Sequence, residues 1–247
     1  MKLFEISSAI NTRSFDQLKD ELPSHIIIKQ EKNTPNLFML KHSYDAPLNN
    51  MTQSTKGMIV NIKDLTIVAP AVPIPIETDS NDSNDSTLKQ IVDAGGIETI
   101  QKAVDGVLFR IYHHGDQWHF STNGMIYPDK GWRGPRTFAD IFAEATDSID
   151  FNVLNKELCY YVMLTHPDHH NVVKSVKTQL FLVQLVDVNK LTELSPSQVQ
   201  KEVERLGDMF LNPCLDVQSV DQLKTLLNEK EMLEVTDAPV KHVGYIV

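Results

Sequence analysis

The chain has 247 residues, 41% hydrophobic and 23% charged, with a formal net charge of -10 at neutral pH, enough length to bury a sizeable core in one large or two small domains. No apolar run approaches the ~20 residues that span a bilayer, and the opening MKLFEISSAINTR lacks a secretory h-region, so a soluble cytoplasmic protein is expected. The acidic balance argues against broad attachment to nucleic acid or anionic lipid and leaves open only a local basic groove.

From the N-terminus, residues 25 to 41 (HIIIKQEKNTPNLFMLK) and 57 to 76 (GMIVNIKDLTIVAPAVPIPI) carry short β-branched and aromatic runs separated by polar turns, the pattern of strands and hairpins. Pro70, Pro73 and Pro75 should end the last of these. DSNDSNDS at residues 79–86 cannot bury apolar surface and reads as a linker or exposed loop. It divides a strand-rich part, 1–78, from a larger core, 87–247. Leu88, Ile91 and Val92 have helical spacing behind Ser86 or Thr87, and Gly95-Gly96 stops that helix.

A hairpin follows, in which Val107, Phe109 and Ile111 alternate with Leu108, Arg110 and Tyr112, turn at Gly115-Asp116 and return from Trp118 to Ile126. Thr137 starts a helix whose Phe138, Ile141, Phe142 and Ala145 form a core-facing stripe. Residues 158–165 and 179–188 read as apolar strands on either side of the polar stretch His166 to Asn171. Ser195-Pro196-Ser197-Gln198 and Ser219-Val220-Asp221-Gln222 both match the capping box, with Gly207 ending the first helix and Val240 to Val247 forming a last strand. Without a regular βαβ period or an internal repeat, the expected class is α+β, mainly antiparallel sheets with packed helices.

Among candidate functional residues, Cys159 and Cys214 are too few for a disulfide framework or a thiolate metal site and are expected reduced in apolar surroundings. His166, Asp168, His169 and His170 are dense, but no second cluster has zinc spacing, so an exposed hairpin turn is expected and no metal site is assigned. Gly131-Trp132-Arg133-Gly134-Pro135-Arg136 joins an aromatic to two arginines, making Trp132, Arg133 and Arg136 candidate contacts for a nucleotide or single strand.

The most informative run is QKAVDGVLFRIYHHGDQWHFSTNGMI, residues 101 to 126. It resembles the active-site segment of ATP-dependent RNA ligases and, more loosely, of the covalent nucleotidyltransferases, in which K-x-D-G precedes a strand, a hairpin and a second strand. Asp105 and Gly106 match the D-G pair. The resemblance continues in STKGMIVNIKDLTIV, where Lys56-Gly57 takes the place of an R-G or K-G pair. It extends to YYVMLTHPDHHNVV, which is similar to a family segment that runs from a tyrosine through a Glu-Leu pair to a proline, an asparagine and a valine, at Tyr161, Leu164, Pro167, Asn171 and Val173, and to HVGYIV, which is similar to the E-G-x-V pocket strand at Gly244. It implies a nucleotidyltransferase adenylation-domain fold and a pocket bounded by Lys56, Gly57, Ala103, Asp105, Gly106, Asn123, Met163, Val243 and Gly244.

In that family a lysine amine attacks the α-phosphate of ATP, and the resulting lysyl-AMP is passed to an RNA 5′-phosphate. Here Ala103 stands where the lysine belongs, Met163 and Val243 replace two carboxylates, Asn123 replaces a basic residue, and the chain stops before a lysine-bearing strand. Thioether and isopropyl groups are poor ligands for a hard cation. The substitutions imply a degenerate ligase-like domain that binds a nucleotide, an RNA end or a protein partner without forming lysyl-AMP. The alternative is an active divergent ligase, using ATP and magnesium, with Lys102 as its nucleophile. In an extended segment a one-residue slip turns a side chain to the opposite face, so Lys102 reaches the pocket only if a bulge rotates it back. A third reading is a scaffold whose pocket is filled by Met163 and Val243.

Overall fold

The computed structural model describes residues 14–47, 49–71, 99–131, 135–169, 175–215, 219, 222, 225 and 242–246. An N-terminal sheet contains β1 (Ile26–Gln30), β2 (Leu37–His42), β3 (Met58–Asn61) and β4 (Ile67–Ala69) in sequential order. Helix α1 (Phe15–Glu21) precedes these strands and α2 (Asn50–Thr55) lies between β2 and β3 in sequence. A central sheet has the order β10 (Thr192–Glu193), β9 (Gln179–Asp187), β8 (Leu158–Thr165), β6 (Val107–His114) and β7 (Gln117–Thr122). A small sheet places β5 (Ile100–Val104) between β11 (Cys214–Leu215) and β12 (His242–Ile246). Every pairing between these strands is antiparallel, as the α+β reading expects.

Two layers cover the central sheet. On one side, Val107, Phe109, Ile111, Tyr160, Val162 and Leu164 pack against α3 (Phe138–Ala145) and α4 (Pro196–Leu206). Phe138, Ile141 and Phe142 of α3 are buried as their helical spacing requires, and the Phe142 ring lies 4.5 Å from Phe109 and 4.6 Å from Phe120. Thr137 caps this helix: its Oγ1 accepts the Asp140 N–H at 3.1 Å, and Asp140 Oδ2 accepts the Thr137 N–H at 2.8 Å. In α4 the Ser195 N–H donates to Gln198 Oε1 at 2.9 Å, and Gly207, at φ 60°, ends the helix.

On its other side the central sheet meets the N-terminal sheet. Leu37, Met39, Ile59 and Val68 pack there against Tyr112, Cys159, Tyr161 and Val186. The opposite face of the N-terminal sheet, with Phe38, Leu40, Met58 and Val60, is covered by Leu18 and Phe15 of α1. Because β8 is buried on both faces, its sequence LCYYVMLT is a continuous rather than an alternating apolar run.

Three expectations change. β7 ends at Thr122, not Ile126, because Thr122 Oγ1 accepts the Gly124 N–H at 3.3 Å and the Thr122 N–H donates to the Met125 carbonyl at 3.0 Å, bending the chain. The expected exposed turn at His166 is buried, with His166 3% and His169 8% accessible, because the two residues pair with each other and His169 packs edge-on against Phe138 at 5.1 Å. Cys159 is fully buried as expected, but Cys214 is only partly so, because it lies on the two-residue strand β11. The linker 79–86, the helix around residues 88–92, His170 and Asn171 lie outside the described residues. So does most of the helix after Ser219, although the Gln222 N–H donates to Ser219 Oγ at 3.2 Å.

Candidate functional site

The D-G pair is the crossover between two sheets. β5 belongs to the small sheet and β6 to the central one, and Asp105-Gly106 are the two residues between them. A β-carbon on Gly106 would collide with the Leu164 carbonyl and come within 3.2 Å of Met163 Cγ, so glycine is required by close packing of the crossover against β8. Met163 thus lies over Gly106. It offers a thioether where the ligase pattern has a carboxylate, a donor set that does not fit a magnesium ion.

Pairing along β5 fixes the neighbouring side chains. Ala103 is opposite Gly244, Lys102 opposite Tyr245 and Val104 opposite His242, so the bulge lies on β12 at Val243 and β5 itself alternates regularly. Gln101 and Ala103 therefore share one face, and Gln101 Nε2 donates to the Val183 carbonyl of β9 at 3.0 Å, which turns that face toward the central sheet. Lys102 shares the opposite face with the buried Ile100 and Val104. No bulge rotates Lys102 toward Ala103's side.

A second group of site residues gathers around Arg110. This arginine is fully buried between the N-terminal and central sheets, on the face of β6 opposite the helices. Its Nη2 donates to the Thr122 carbonyl at 2.6 Å, while Nη1 donates to the Gly57 carbonyl and, at 3.4 Å, to that of Pro70. Tyr161 Oη also donates to the Pro70 carbonyl, at 2.6 Å. Three strand ends are therefore tied to one guanidinium. Gly57 has φ 81°, and a β-carbon there would come within 2.9 Å of the Asn123 backbone and 3.2 Å of Arg110 Nη2, so Lys56-Gly57 and Asn123 form one corner of the molecule. Neither Arg110 Nε, Ser121 Oγ nor Asn123 Oδ1 has a hydrogen-bond partner, although all three atoms are buried.

Burial shapes the chemistry of this interior. The Cys159 thiol is pushed up to about 12 by burial, with the nearby Arg110 charge pulling in the other direction. Burial also holds the Tyr112 and Tyr161 phenols above their ordinary range, so all three groups stay neutral near pH 7.

Arg136 has a different setting. Its guanidinium bridges Glu144 at 2.5 Å and Asp168 at 3.0 Å, while His166 Nε2 contacts Glu144 Oε1 at 3.2 Å. These contacts tie α3 to the turn after β8. Trp132 and Arg133 lie outside the described residues.

No protein-family model and no curated protein matches the chain. Solved structures do. An archaeal ATP-dependent RNA ligase superposes with a TM-score of 0.58 over 97% of this chain and 60% of its own length, at 11% identity. An Aquifex aeolicus protein assigned as an ATP-dependent DNA ligase gives 0.52 over 89% of this chain and 54% of its own, at 17% identity. The fold is that of an ATP-dependent ligase nucleotidyltransferase domain. The chain spans little more than half the length of each of these ligases. Among the described residues no helix is long and apolar enough to cross a membrane.

Within this ligase fold, the sequence motifs assemble into two groups: Ala103, Gly106 and Met163 at the crossover, with Ala103 paired to Gly244, and Lys56, Gly57 and Asn123 around Arg110. Arg110 belongs to no motif that the resemblance supplied. Its signal was an arginine inside the alternating run VLFRIY, next to a strand, β8, whose unbroken apolar sequence required both sheet faces to be covered.

Proposed function

We propose that this chain is a ligase-fold domain that binds a nucleotide or an RNA 5′ end reversibly and forms no lysyl-AMP. One observation carries the proposal: the methyl group of Ala103 lies on the face of β5 directed at the central sheet, and Lys102 lies on the opposite face. A methyl group cannot attack phosphorus. Met163 over Gly106 supports the same reading, since it removes a hard oxygen ligand from the pocket. ATP is the ligand that the similar ATP-dependent ligases suggest. The Met163 side chain also favours a second use, as a scaffold in which the pocket is filled and the partner is a protein.

Equilibrium dialysis with α-phosphate-labelled ATP and magnesium or manganese, followed by denaturation, tests the proposal. Label retained by the native protein and released on denaturation is the expected result. Label that survives denaturation would overturn the proposal in favour of an active ligase, and no retention of ATP or of a 5′-phosphorylated RNA would leave the scaffold.

A further inference from the structure

Lys41 lies on β2 in none of the segments that resemble the ligases. Along β2, Leu37 and Met39 face the central sheet while Phe38 and Leu40 face α1, so alternation puts Lys41 on the inner side, next in line after Met39. Its Nζ lies 3.9 Å from the position of a β-carbon on Gly124, at the bend that ends β7. That bend is held from the same sheet: Lys29 Nζ donates to the Gly124 carbonyl at 2.9 Å, and Glu31 accepts the Ile126 and Tyr127 N–H groups at 3.1 and 2.8 Å. Glu31 also pairs with Lys29 at 2.8 Å. No carboxylate among the described residues forms an ion pair with Lys41 or with Arg110.

Among the described residues these two cations of an acidic protein have no carboxylate in ion-pair contact, and Glu31 at the same bend is paired with Lys29. The Gly57 N–H donates to the Leu40 carbonyl at 2.9 Å, which places the Arg110-bonded turn beside Lys41 in the sheet. Arg110 is neutralised only by carbonyl dipoles, its Nε has no partner, and the cross-strand neighbour Ser121, also fully buried, has an unpartnered Oγ. Taking charge out of water without a partner is costly, and an oxyanion arriving at the partly exposed Lys41 relieves that cost there while the buried Arg110 charge adds to its attraction. Burial, with the adjacent Lys29 charge, also holds the Lys41 ammonium below the ordinary lysine range.

We propose that Lys41, at the Asn123-Gly124 bend and backed by the buried charge of Arg110, binds a phosphate group of the ligand. The proposal rests on the nucleotide or RNA-end reading above and names the part of the ligand that is gripped. A phosphate offers several charge-assisted acceptors to an ammonium, and the same chemistry occurs in a nucleotide and at an RNA 5′ end. The net charge of -10 leaves attraction for such ligands to local basic sites.

The test is calorimetric titration of the full chain, Lys41→Gln, Lys41→Arg and the exposed control Lys201→Gln. The probes are pyrophosphate, ATP, adenosine, and one oligoribonucleotide with and without a 5′-phosphate. Circular dichroism melts establish that each variant folds. The expected result is that Lys41→Gln weakens the phosphate-bearing probes by about tenfold or more, while Lys41→Arg stays within about threefold and Lys201→Gln is unchanged. Loss with ATP and pyrophosphate alone identifies a nucleotide phosphate, and loss with the phosphorylated RNA alone identifies an RNA end; either supports the site. Equal binding to the native chain and to Lys41→Gln, or an equal loss in Lys201→Gln, would overturn this site while leaving the nucleotide or RNA-end reading intact. Binding of no probe by the native chain would overturn both.

Discussion

The two faces of the central sheet are buried in different ways. Toward α3 and α4 the sheet presents Val107, Phe109, Ile111, Val162 and Leu164, and the Tyr160 hydroxyl reaches the edge to accept from the Asn155 N–H and to donate to Glu202. Toward the N-terminal sheet it presents Arg110, Ser121, Cys159 and Tyr161, all fully buried. The first face stabilises by removing apolar area from water, roughly 1.5–3 kcal/mol for each large side chain. The second holds a charge among carbonyls, at a desolvation cost that the hydrogen bonds to Gly57, Pro70 and Thr122 offset. The difference fits the phosphate site proposed at the edge of the inner face.

Removing Phe142 tests the apolar face. Phe142→Ala should cost about 4 kcal/mol through lost transfer energy and the cavity left beside Phe109 and Phe120, read as a lower denaturant midpoint. Binding of ATP or phosphorylated RNA per folded molecule should not change. Arg110→Met probes the opposite face and should cost about 2–3 kcal/mol, because the Gly57, Pro70 and Thr122 carbonyls lose their donor. It should also weaken phosphate binding. A variant that gained stability and kept its affinity would reduce Arg110 to an expensive structural clip and remove the contrast between the faces.

Proton linkage sharpens the contrast at Lys41. Its folded-state pKa is held below the ordinary lysine value of 10.5 by burial, so the unfolded chain binds the proton more tightly and charged Lys41 opposes folding. Its contribution to stability should therefore rise as pH climbs from the depressed value toward 10.5, while affinity for phosphate falls over the same interval. Comparing denaturation midpoints and binding constants for the native chain and Lys41→Gln across that window isolates the effect. Parallel curves for the two proteins would contradict it. The smallest effect is expected at Arg136→Ala, where solvent screens the ion pairs with Glu144 and Asp168, so the denaturation midpoint should hardly move and phosphate binding should be unaffected.

Much of this architecture was legible in the sequence because local signals agreed. Thr137 and the stripe of Phe138, Ile141, Phe142 and Ala145 announced α3, Gly115-Asp116 announced the hairpin turn at φ 62°, and β8 and β9 stood out as apolar runs bounded by polar residues. The D-G crossover was legible too, since Gly106 has a packing requirement that no other residue meets. Arg110 and Lys41 were not singled out. Alternation along β6 opposes Arg110 to its apolar neighbours, and nothing local says that a second sheet covers that side. The buried histidine turn was misread for a related reason: His166 is covered by Glu144 and His169 by Phe138, both on a helix far away in sequence. Long-range contacts decide burial, and polarity in one segment does not encode them.

The most direct measurement is the intact mass of the native chain after incubation with ATP and magnesium or manganese, beside Lys102→Ala. An unchanged mass in both, with ATP retained under native conditions, is the predicted result. An AMP adduct on the native chain that disappears in Lys102→Ala would contradict the account, because it would place on Lys102 a reaction that the pairing of β5 directs away from the central sheet.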